Sequence, residues 1–298
     1  MYLVLVQDSD HVIKTLEADL IIDASGVGSI STSWLKKLGV HIPSEEVDIG
    51  LSYVSKFFRL PENTNRDWKI KLVYPNPPFE KVGGTISMVE GDRYMVTLIG
   101  YQEAINEKEA LKIETGFLEL AKRLPKLDIY NEILNGTPIS ETSIFRVPKI
   151  IWKRFDKVNQ LPNGLLVIGD TVCRIDPVFG QGMSIAVLEA LALQKIFSNG
   201  NDPLQERITR FHKNVSQIIA PIWNMVITED FRYPGISGNK PFGLSIQQWY
   251  AKKIFLLSSQ NQDIYDSFIK VMNLIKPITF LMRPRILRKA FGRVLNKK

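Results

Sequence analysis

Residues 165–190 read LLVIGDTVCRIDPVFGQGMSIAVLEA. The apolar run 165–168 stops at Gly169-Asp170, and a loop that contains Pro177 follows it. A short, unbroken apolar run is typical of a strand covered on both faces. After Gly180-Gln181-Gly182 a second apolar run begins, and its spacing predicts a helix over 181–197. The stretch therefore predicts a strand, a loop and a helix, which is the repeating unit of α/β proteins.

The polar and glycine residues of this stretch predict a ligand site. Asp170 follows a strand, and open α/β sheets bind ligands at the carboxyl ends of their strands. Its carboxylate can accept hydrogen bonds from ligand hydroxyls, or it can cap a turn or helix, and both alternatives stay open. Gly180 and Gly182 let the backbone approach a flat ligand, while the amides at a helix start favour negative charge.

The composition bounds the class of protein. The chain has 298 residues, of which 45% are hydrophobic and 23% charged, as in a globular protein of one or two domains. A single cysteine, Cys173, excludes an internal disulfide. Its three histidines, His11, His41 and His212, are far apart, so we expect no metal site. The cysteine usage fits a reducing compartment, and we expect a cytoplasmic protein.

Basic residues accumulate at the C-terminus of a chain whose net charge is +7. From residue 275 onward there is no acid, and the basic residues are Lys276, Arg283, Arg285, Arg288, Lys289, Arg293, Lys297 and Lys298. Apolar residues interleave with them, so the segment is either a solvated helical face or a peripheral contact with an anionic membrane. Because no nucleic-acid-binding motif accompanies the charge, we expect no nucleic acid partner.

The remaining patterns predict a mixed chain of strands and helices. Expected strands cover 2–7, 19–24 and 141–147, with a turn at 8–10 and four alternating strands within 47–103 that include a turn at 90–93. Expected helices cover 33–38, 107–123, 203–219, 244–258 and 262–275.

The segment from Gly169 to Ala190 resembles the second flavin-binding motif of the FAD-dependent monooxygenases related to p-hydroxybenzoate hydroxylase. The resemblance implies that Asp170 binds the ribityl hydroxyls of FAD. It also implies that backbone amides near the helix start face the flavin edge that becomes negative on reduction. The cofactor-binding residues implied are Gly26, Gly169, Asp170, Pro177, Gly180, Gln181, Gly182 and Met183.

A second, weaker match lies in residues 18–29, ADLIIDASGVGS. Gly26 and Ser29 fall on the Gly and Ser of a family strand-loop motif, but Ser25 stands where the family usually has Asp. The segments SWLKKLG, RVPK and DFRYP point to an epoxidase- or hydroxylase-like branch of the family.

The family's first flavin motif, G-x-G-x-x-G, does not occur before Asp170. In the family this motif binds the ADP half of FAD. The resemblance therefore implies that the chain begins inside the FAD domain. We expect an incomplete FAD site in this chain and an N-terminal fragment encoded upstream.

The resemblance implies an α/β (mixed α+β) fold. Residues 1–46 and 148–200 would be the C-terminal part of a Rossmann-like FAD-binding domain, interleaved with an antiparallel-sheet substrate domain over 47–147 and followed by a helical region over 201–298.

The activity implied is monooxygenation, by hydroxylation or epoxidation, of a small apolar organic substrate with NAD(P)H as co-substrate. The alternatives are an FAD-dependent reductase or dehydrogenase, or a non-catalytic binding module. No catalytic residue is identified, and Arg146 and Arg174 are more typical of ion pairs.

Overall fold

A computed structural model describes residues 2–7, 11–61, 66–105, 116–198 and 202–292. The chain divides into two compact units. The first contains Met1–Glu46, Ile151–Glu229 and Asn239–Lys298, and the second contains Val47–Ile150 and Asp230–Gly238. Strands and helices occur in both units, which confirms the mixed α/β class.

The described residues form twelve strands and eight α-helices. The strands are β1 (Tyr2–Gln7), β2 (Ile13–Ala18), β3 (Ile21–Asp23), β4 (Ser44–Arg59), β5 (Ile70–Val73), β6 (Val82–Val89), β7 (Arg93–Gly100), β8 (Thr137–Pro138), β9 (Ser143–Lys153), β10 (Leu165–Val167), β11 (Cys173–Arg174) and β12 (Ser237–Gly238). The helices are α1 (Ser31–Lys37), α2 (Gly116–Ala121), α3 (Asp128–Ile133), α4 (Gly182–Ser198), α5 (Leu204–Asp230), α6 (Leu244–Ser258), α7 (Gln262–Met272) and α8 (Pro284–Gly292).

Two small sheets belong to the first unit. β1 pairs with β2 in an antiparallel hairpin, and β3 pairs in parallel with β10. The prediction of a strand at 2–7 is confirmed, whereas the turn predicted at 8–10 lies outside the described residues. The strand predicted over 19–24 is only three residues long, and the actual partner of β1 is β2. The sequence of β2, IKTLEA, was missed because it has few apolar residues and is exposed along its length.

The second unit is built on an antiparallel sheet with the strand order β9-β4-β7-β6-β5. The four alternating strands predicted within 47–103 are confirmed as β4 to β7. The predicted turn between β6 and β7 is also confirmed. Val89 pairs with Arg93 across a three-residue loop, in which Gly91 and Asp92 take positive φ of 71° and 53°.

One face of this sheet is covered by α2 and α3. The sheet contributes Val54 of β4, Ile86 of β6 and Leu98 of β7 to a buried cluster. Phe117 of α2 and Ile129 of α3 belong to the same cluster. Burial of these side chains provides the main stabilisation of the unit. A helix was predicted over 107–123, and α2 corresponds to its C-terminal part. Residues 106–115 lie outside the described residues. α3 was not predicted.

The segment DFRYP belongs to the second unit. The ring of Tyr233 stacks on Tyr101 with centroids 4.7 Å apart, and its hydroxyl donates to the Glu80 carbonyl oxygen at 3.2 Å. β12, which follows it, pairs with β4.

Helices predominate in the rest of the first unit. The predictions for α1, α4 and α6 are confirmed within two residues. The helix predicted to end near residue 219 continues to Asp230 through Pro221. Proline removes a helical hydrogen bond, but buried residues beyond it, including Trp223 and Val226, hold the helix in place by packing. Among the helices in the described ranges, not one combines the length and hydropathy that a bilayer crossing requires.

The C-terminal helices of the first unit pack on one another. Ile254 of α6, Val271 of α7 and Ile286 of α8 share one buried cluster. α7 ends at Met272 rather than at the predicted residue 275, because Leu274 takes a left-handed φ of 56° that ends the helix.

The core of the second unit predicts how two isoleucine substitutions differ. Ile86 on β6 is fully buried, whereas Ile70 on β5 is 51% exposed. We expect Ile86→Ala to lower the free energy of unfolding by about 2–5 kcal/mol because it leaves a cavity. The matched control Ile70→Ala should change it by less than about 0.5 kcal/mol. Urea denaturation measures both, and equal losses would contradict this assignment of the core.

Candidate functional site

Two loops meet at the carboxyl ends of the parallel strands β3 and β10. Asp23 and Val167 are the last paired residues. The Gly26 N–H donates to Thr171 Oγ1 at 2.9 Å, and this hydroxyl donates back to the Gly26 carbonyl oxygen at 3.3 Å. A methyl group on Gly26 would lie 3.8 Å from Asp170 Cβ. The structure therefore brings together two predicted site residues that are far apart in the sequence.

The loop that contains Gly26 is organised by Asp23, a residue that the sequence analysis did not single out. Its carboxylate accepts hydrogen bonds from the Ser25 N–H at 2.9 Å and from the Ser25 and Ser29 hydroxyls at 2.5 Å each, and also from the Ser31 hydroxyl. Burial alone would raise the pKa of Asp23, but these hydrogen bonds outweigh it and hold the pKa below its ordinary value. Asp23 is thus a charged acceptor that fixes the loop.

The turn at Gly169-Asp170 follows directly after β10. Gly169 takes φ of 65°, a left-handed conformation that favours glycine. The side chain of Asp170 is exposed on this turn. Partial desolvation raises the pKa of its carboxyl above the ordinary value, and the nearby Arg174 opposes that shift. Asp170 is therefore placed to meet a ligand at the strand end.

Glu189 supports this turn from α4, and it too was missed in the sequence analysis. Its side chain is almost completely buried, and its Oε2 accepts a hydrogen bond from the Gly169 N–H at 2.5 Å. Its Oε1 is buried without a hydrogen-bond partner among the described residues. Burial raises the pKa of Glu189 to about 7; the Gly169 N–H opposes the shift, while the charge of Asp170 adds to it.

A sequence signal for Glu189 does exist. It is the only acid in α4, and it lies four residues after Ile185 and three before Ala192, which are both buried. This spacing places a carboxyl group on the core face of the helix. An acid at such a position needs a buried hydrogen-bond donor, and here the Gly169 N–H is that donor.

The loop between the turn and α4 is held by Asp176. This residue is fully buried, and its Oδ1 accepts a hydrogen bond from the Val178 N–H at 2.8 Å. Pro177 begins the short 3-10 helix Pro177–Phe179, a position where its missing N–H is not needed. The sequence assigned Pro177 a stiffening role but overlooked the capping aspartate before it. Cys173 is buried, which raises the pKa of its thiol well above the ordinary value and makes it unsuited to be a nucleophile.

Open space lies over the backbone where α4 begins. A Cβ placed on Gly180 or Gly182 would have no other atom within 4 Å, and Gly180 takes φ of 66°. Met183 is 83% exposed. The first amides of a helix have no partner within the helix, so Gly182 and Met183 can offer donors to a ligand, whereas the Gly180 N–H donates to the Pro177 carbonyl oxygen at 3.0 Å. Gln181 differs, because its side chain is buried and donates from Nε2 to the Met272 carbonyl oxygen at 3.0 Å.

The predicted site residues therefore fall into two groups joined by the loop that contains Pro177. Gly26, Gly169 and Asp170 lie at the strand ends, and Gly180, Gly182 and Met183 lie where α4 begins. Together they offer an exposed carboxylate, uncovered glycine backbone and helix-terminal amides. Within the described residues no cluster of three His, Cys, Asp or Glu side chains could hold a metal ion.

Comparison with known proteins identifies relatives of this chain. The profile of a family described as FAD binding domain matches residues 3–200. Protein Rv3254 of Mycobacterium tuberculosis is 26% identical to this chain over 226 residues, which are 73% of this chain and 45% of that protein. The chain thus spans less than half the length of this curated relative.

Solved structures share the fold at low sequence identity. The flavin-dependent brominase Bmp2 superposes with a TM-score of 0.60 at 13% identity, covering 96% of this chain and 65% of that one. A flavoprotein/dehydrogenase from Cytophaga hutchinsonii gives 0.61 at 15% identity, covering 97% and 63%. The probable FAD-dependent monooxygenase pqsL from Pseudomonas aeruginosa gives 0.53 at 15% identity, covering 78% and 65%.

The raised pKa of Glu189 predicts a pH-dependent stability. The carboxyl ionises near pH 7 in the folded chain, compared with an ordinary value of 4.5. Its contribution to stability is therefore complete below pH 4.5 and is lost as the pH rises through 7. Glu189→Gln keeps an acceptor for the Gly169 N–H and removes the ionisation. Relative to the unsubstituted chain, this variant should gain up to about 3 kcal/mol of stability between acidic and alkaline pH.

Urea denaturation on either side of pH 7 measures this gain. The control Glu17→Gln changes an exposed carboxyl on β2 and should shift stability equally at both pH values. A stability difference between Glu189→Gln and the unsubstituted chain that stays constant with pH would contradict the assignment of a neutral, buried Glu189.

Proposed function

Because this chain belongs to the FAD binding domain family, we propose that the site at the ends of β3 and β10 binds the flavin and ribityl part of FAD. The observation that carries the proposal is the junction of the Gly26 loop with the Gly169-Asp170 turn at the carboxyl ends of two parallel strands. Such strand ends are where α/β sheets bind their ligands. The uncovered glycines at the start of α4 add room for a flat ring.

Each group of residues has a distinct part in this proposal. The Asp170 carboxylate accepts hydrogen bonds from ribityl hydroxyls, and hydrogen bonds of this kind are strengthened by the charge. The backbone from Gly180 to Met183 lies against the pyrimidine edge of the ring. The N-terminal amides of α4 favour negative charge at that edge. When bound, FAD supplies the redox and oxygen chemistry.

Glu189 is a positioning residue in this proposal. Its hydrogen bond to the Gly169 N–H holds the turn from which Asp170 projects. Because its pKa is about 7, roughly half of the carboxyl groups are neutral at that pH. When Glu189 is neutral, Asp170 is the charged acceptor of these two neighbouring acids.

The reaction that we propose is NAD(P)H-dependent monooxygenation, as hydroxylation or epoxidation, of a small apolar organic substrate. Support comes from the motif over 169–190 and from the fold shared with pqsL, a probable FAD-dependent monooxygenase. A reductase or dehydrogenase is the second candidate, since a flavoprotein/dehydrogenase shares the fold with a TM-score of 0.61, compared with 0.53 for pqsL. Supplying NAD(P)H, labelled O2 and either indole or styrene separates them, because only a monooxygenase transfers label to the product.

The ADP half of FAD is a separate part of the proposal. The sequence has no G-x-G-x-x-G motif before Asp170, and the chain spans less than half of its curated relative. We therefore place the contacts to ADP outside the 298 residues of this chain. The isolated chain should then recognise flavin and ribityl groups alone, and bind them weakly.

This proposal predicts the relative affinities of three flavins. Riboflavin, FMN and FAD should bind the isolated chain with dissociation constants within about threefold, because an ADP group without contacts adds no binding energy. Asp170→Asn should weaken all three by roughly tenfold, since it removes a charged hydrogen-bond acceptor. Quenching of flavin fluorescence on titration measures these constants.

The matched control is Asp19→Asn, which alters an exposed carboxylate just before β3 and should leave flavin binding unchanged. FAD binding that is a hundredfold tighter than riboflavin binding would show that this chain holds ADP. Unchanged flavin affinity in Asp170→Asn would contradict the proposed contact between Asp170 and the ribityl hydroxyls. Flavin binding without turnover of NAD(P)H would favour the non-catalytic binding module.

A further inference from the structure

The helices α6 and α8 present apolar and basic side chains side by side, some of them exposed and some half-buried. Ile246, Trp249 and Lys253 are spaced three and four residues apart, which places them on one face of α6. Arg288 and Phe291 are three residues apart on α8. We call these five residues the α6–α8 patch.

Contacts between the two helices make this patch continuous. The rings of Trp249 and Phe291 are 5.1 Å apart, and Lys253 Nζ lies 6.0 Å from the Trp249 ring centroid. Ile246 is 72% exposed and Phe291 52% exposed. An apolar surface of this kind with basic residues beside it is uncommon on a face that meets only water.

Both helices are anchored by side chains that are buried in the first unit. Ile254 and Leu257 of α6 are buried, and so are Ile286 and Ala290 of α8. On α6 the patch borders the buried row, because Leu257 follows Lys253 by four residues, and the patch as a whole sits on a packed, folded support.

The charge on these helices has one sign. α6 and α8 together carry five basic residues and no acidic residue. On α7, which packs against both helices, Asp263 pairs with Arg285 at 2.5 Å and Asp266 accepts a hydrogen bond from Gln262 at 2.8 Å. Asp263 is thus engaged by Arg285 and Asp266 by Gln262, neither of which is part of the patch, so Lys253 and Arg288 provide positive charge beside the Trp249 and Phe291 rings.

We propose that the α6–α8 patch docks this protein on a membrane surface rich in anionic lipid. Tryptophan and phenylalanine favour the boundary between headgroups and acyl chains, and basic residues beside them attract anionic headgroups. The helices would lie on the surface without crossing it, in keeping with their length and hydropathy. The proposal does not depend on flavin binding, because none of its residues belongs to the flavin site.

Sedimentation with lipid vesicles tests the proposal on the full chain. We expect binding to vesicles that contain about a third phosphatidylglycerol, weak binding to pure phosphatidylcholine, and a loss of binding as salt screens the charges. The double variant Lys253→Glu with Arg288→Glu should lower the partition coefficient by roughly 25-fold or more, since each basic residue near such a surface contributes about fivefold. Ile246→Ser should also lower it.

Matched controls separate a localised patch from overall charge. Lys36→Glu with Lys37→Glu changes the net charge equally on the exposed end of α1, and Phe79→Ser removes an exposed ring outside the patch. Both controls should bind vesicles as the unsubstituted chain does. Thermal unfolding of every variant verifies that it is folded.

Three results would overturn the proposal. The first is equal loss of binding in the α1 control, which would make the attraction a property of net charge. The second is failure of the unsubstituted chain to bind anionic vesicles. The third is binding to duplex DNA that is as strong as vesicle binding and is lost in the same Lys253 and Arg288 variant, which would assign the patch to nucleic acid instead.

Discussion

The parallel pairing of β3 with β10 is the constraint on which the rest of the site depends. Three residue pairs join segments that lie on either side of the inserted second unit, and the site is assembled at their carboxyl ends. The chain segments that follow Asp23 and Val167 leave the sheet at the same edge. The Gly26 loop and the turn at Gly169-Asp170 therefore come close enough for the Gly26 N–H to donate to Thr171 Oγ1. A slip in register would move Thr171 away from Gly26 and separate the two loops.

Three carboxyl groups, of which Asp176 and Glu189 are buried, then fix what the strands bring together. Asp23 gathers three serine hydroxyls, Asp176 caps the turn that follows it in the loop, and Glu189 holds the Gly169 amide. These acids behave differently. Multiple donors keep Asp23 ionised, whereas Glu189 has one donor and a buried, unpaired oxygen that favours its neutral form. The exposed carboxylate of Asp170 therefore stands on a scaffold whose own acids are already engaged or neutral.

Much of the fold could be predicted because it follows from local pattern. Alternation of apolar and polar residues in the second unit predicted β4 to β7. Glycines and the spacing of apolar residues predicted α4 and α6. Elements whose stability comes from partners were missed. β2 has a polar, exposed sequence and exists because β1 pairs with it, and α5 passes Pro221 because the residues beyond it are buried. Of the predicted site, Gln181 was assigned to the cofactor through the backbone, and the structure adds that its side chain donates to the Met272 carbonyl oxygen.

The sequence by itself determined the strand, turn and glycine-flanked helix of residues 165–190, together with Asp170 and the basic, acid-free C-terminus. These features depend on neighbouring residues alone, because the spacing of apolar residues, the conformational freedom of glycine and the charge of a segment are all local properties. Only the tertiary structure decided that Gly26 lies against Asp170, that Glu189 reaches Gly169, and that Trp249 and Phe291 share one surface. Those contacts join residues distant along the chain, and burial and hydrogen bonding select them only once the chain has folded.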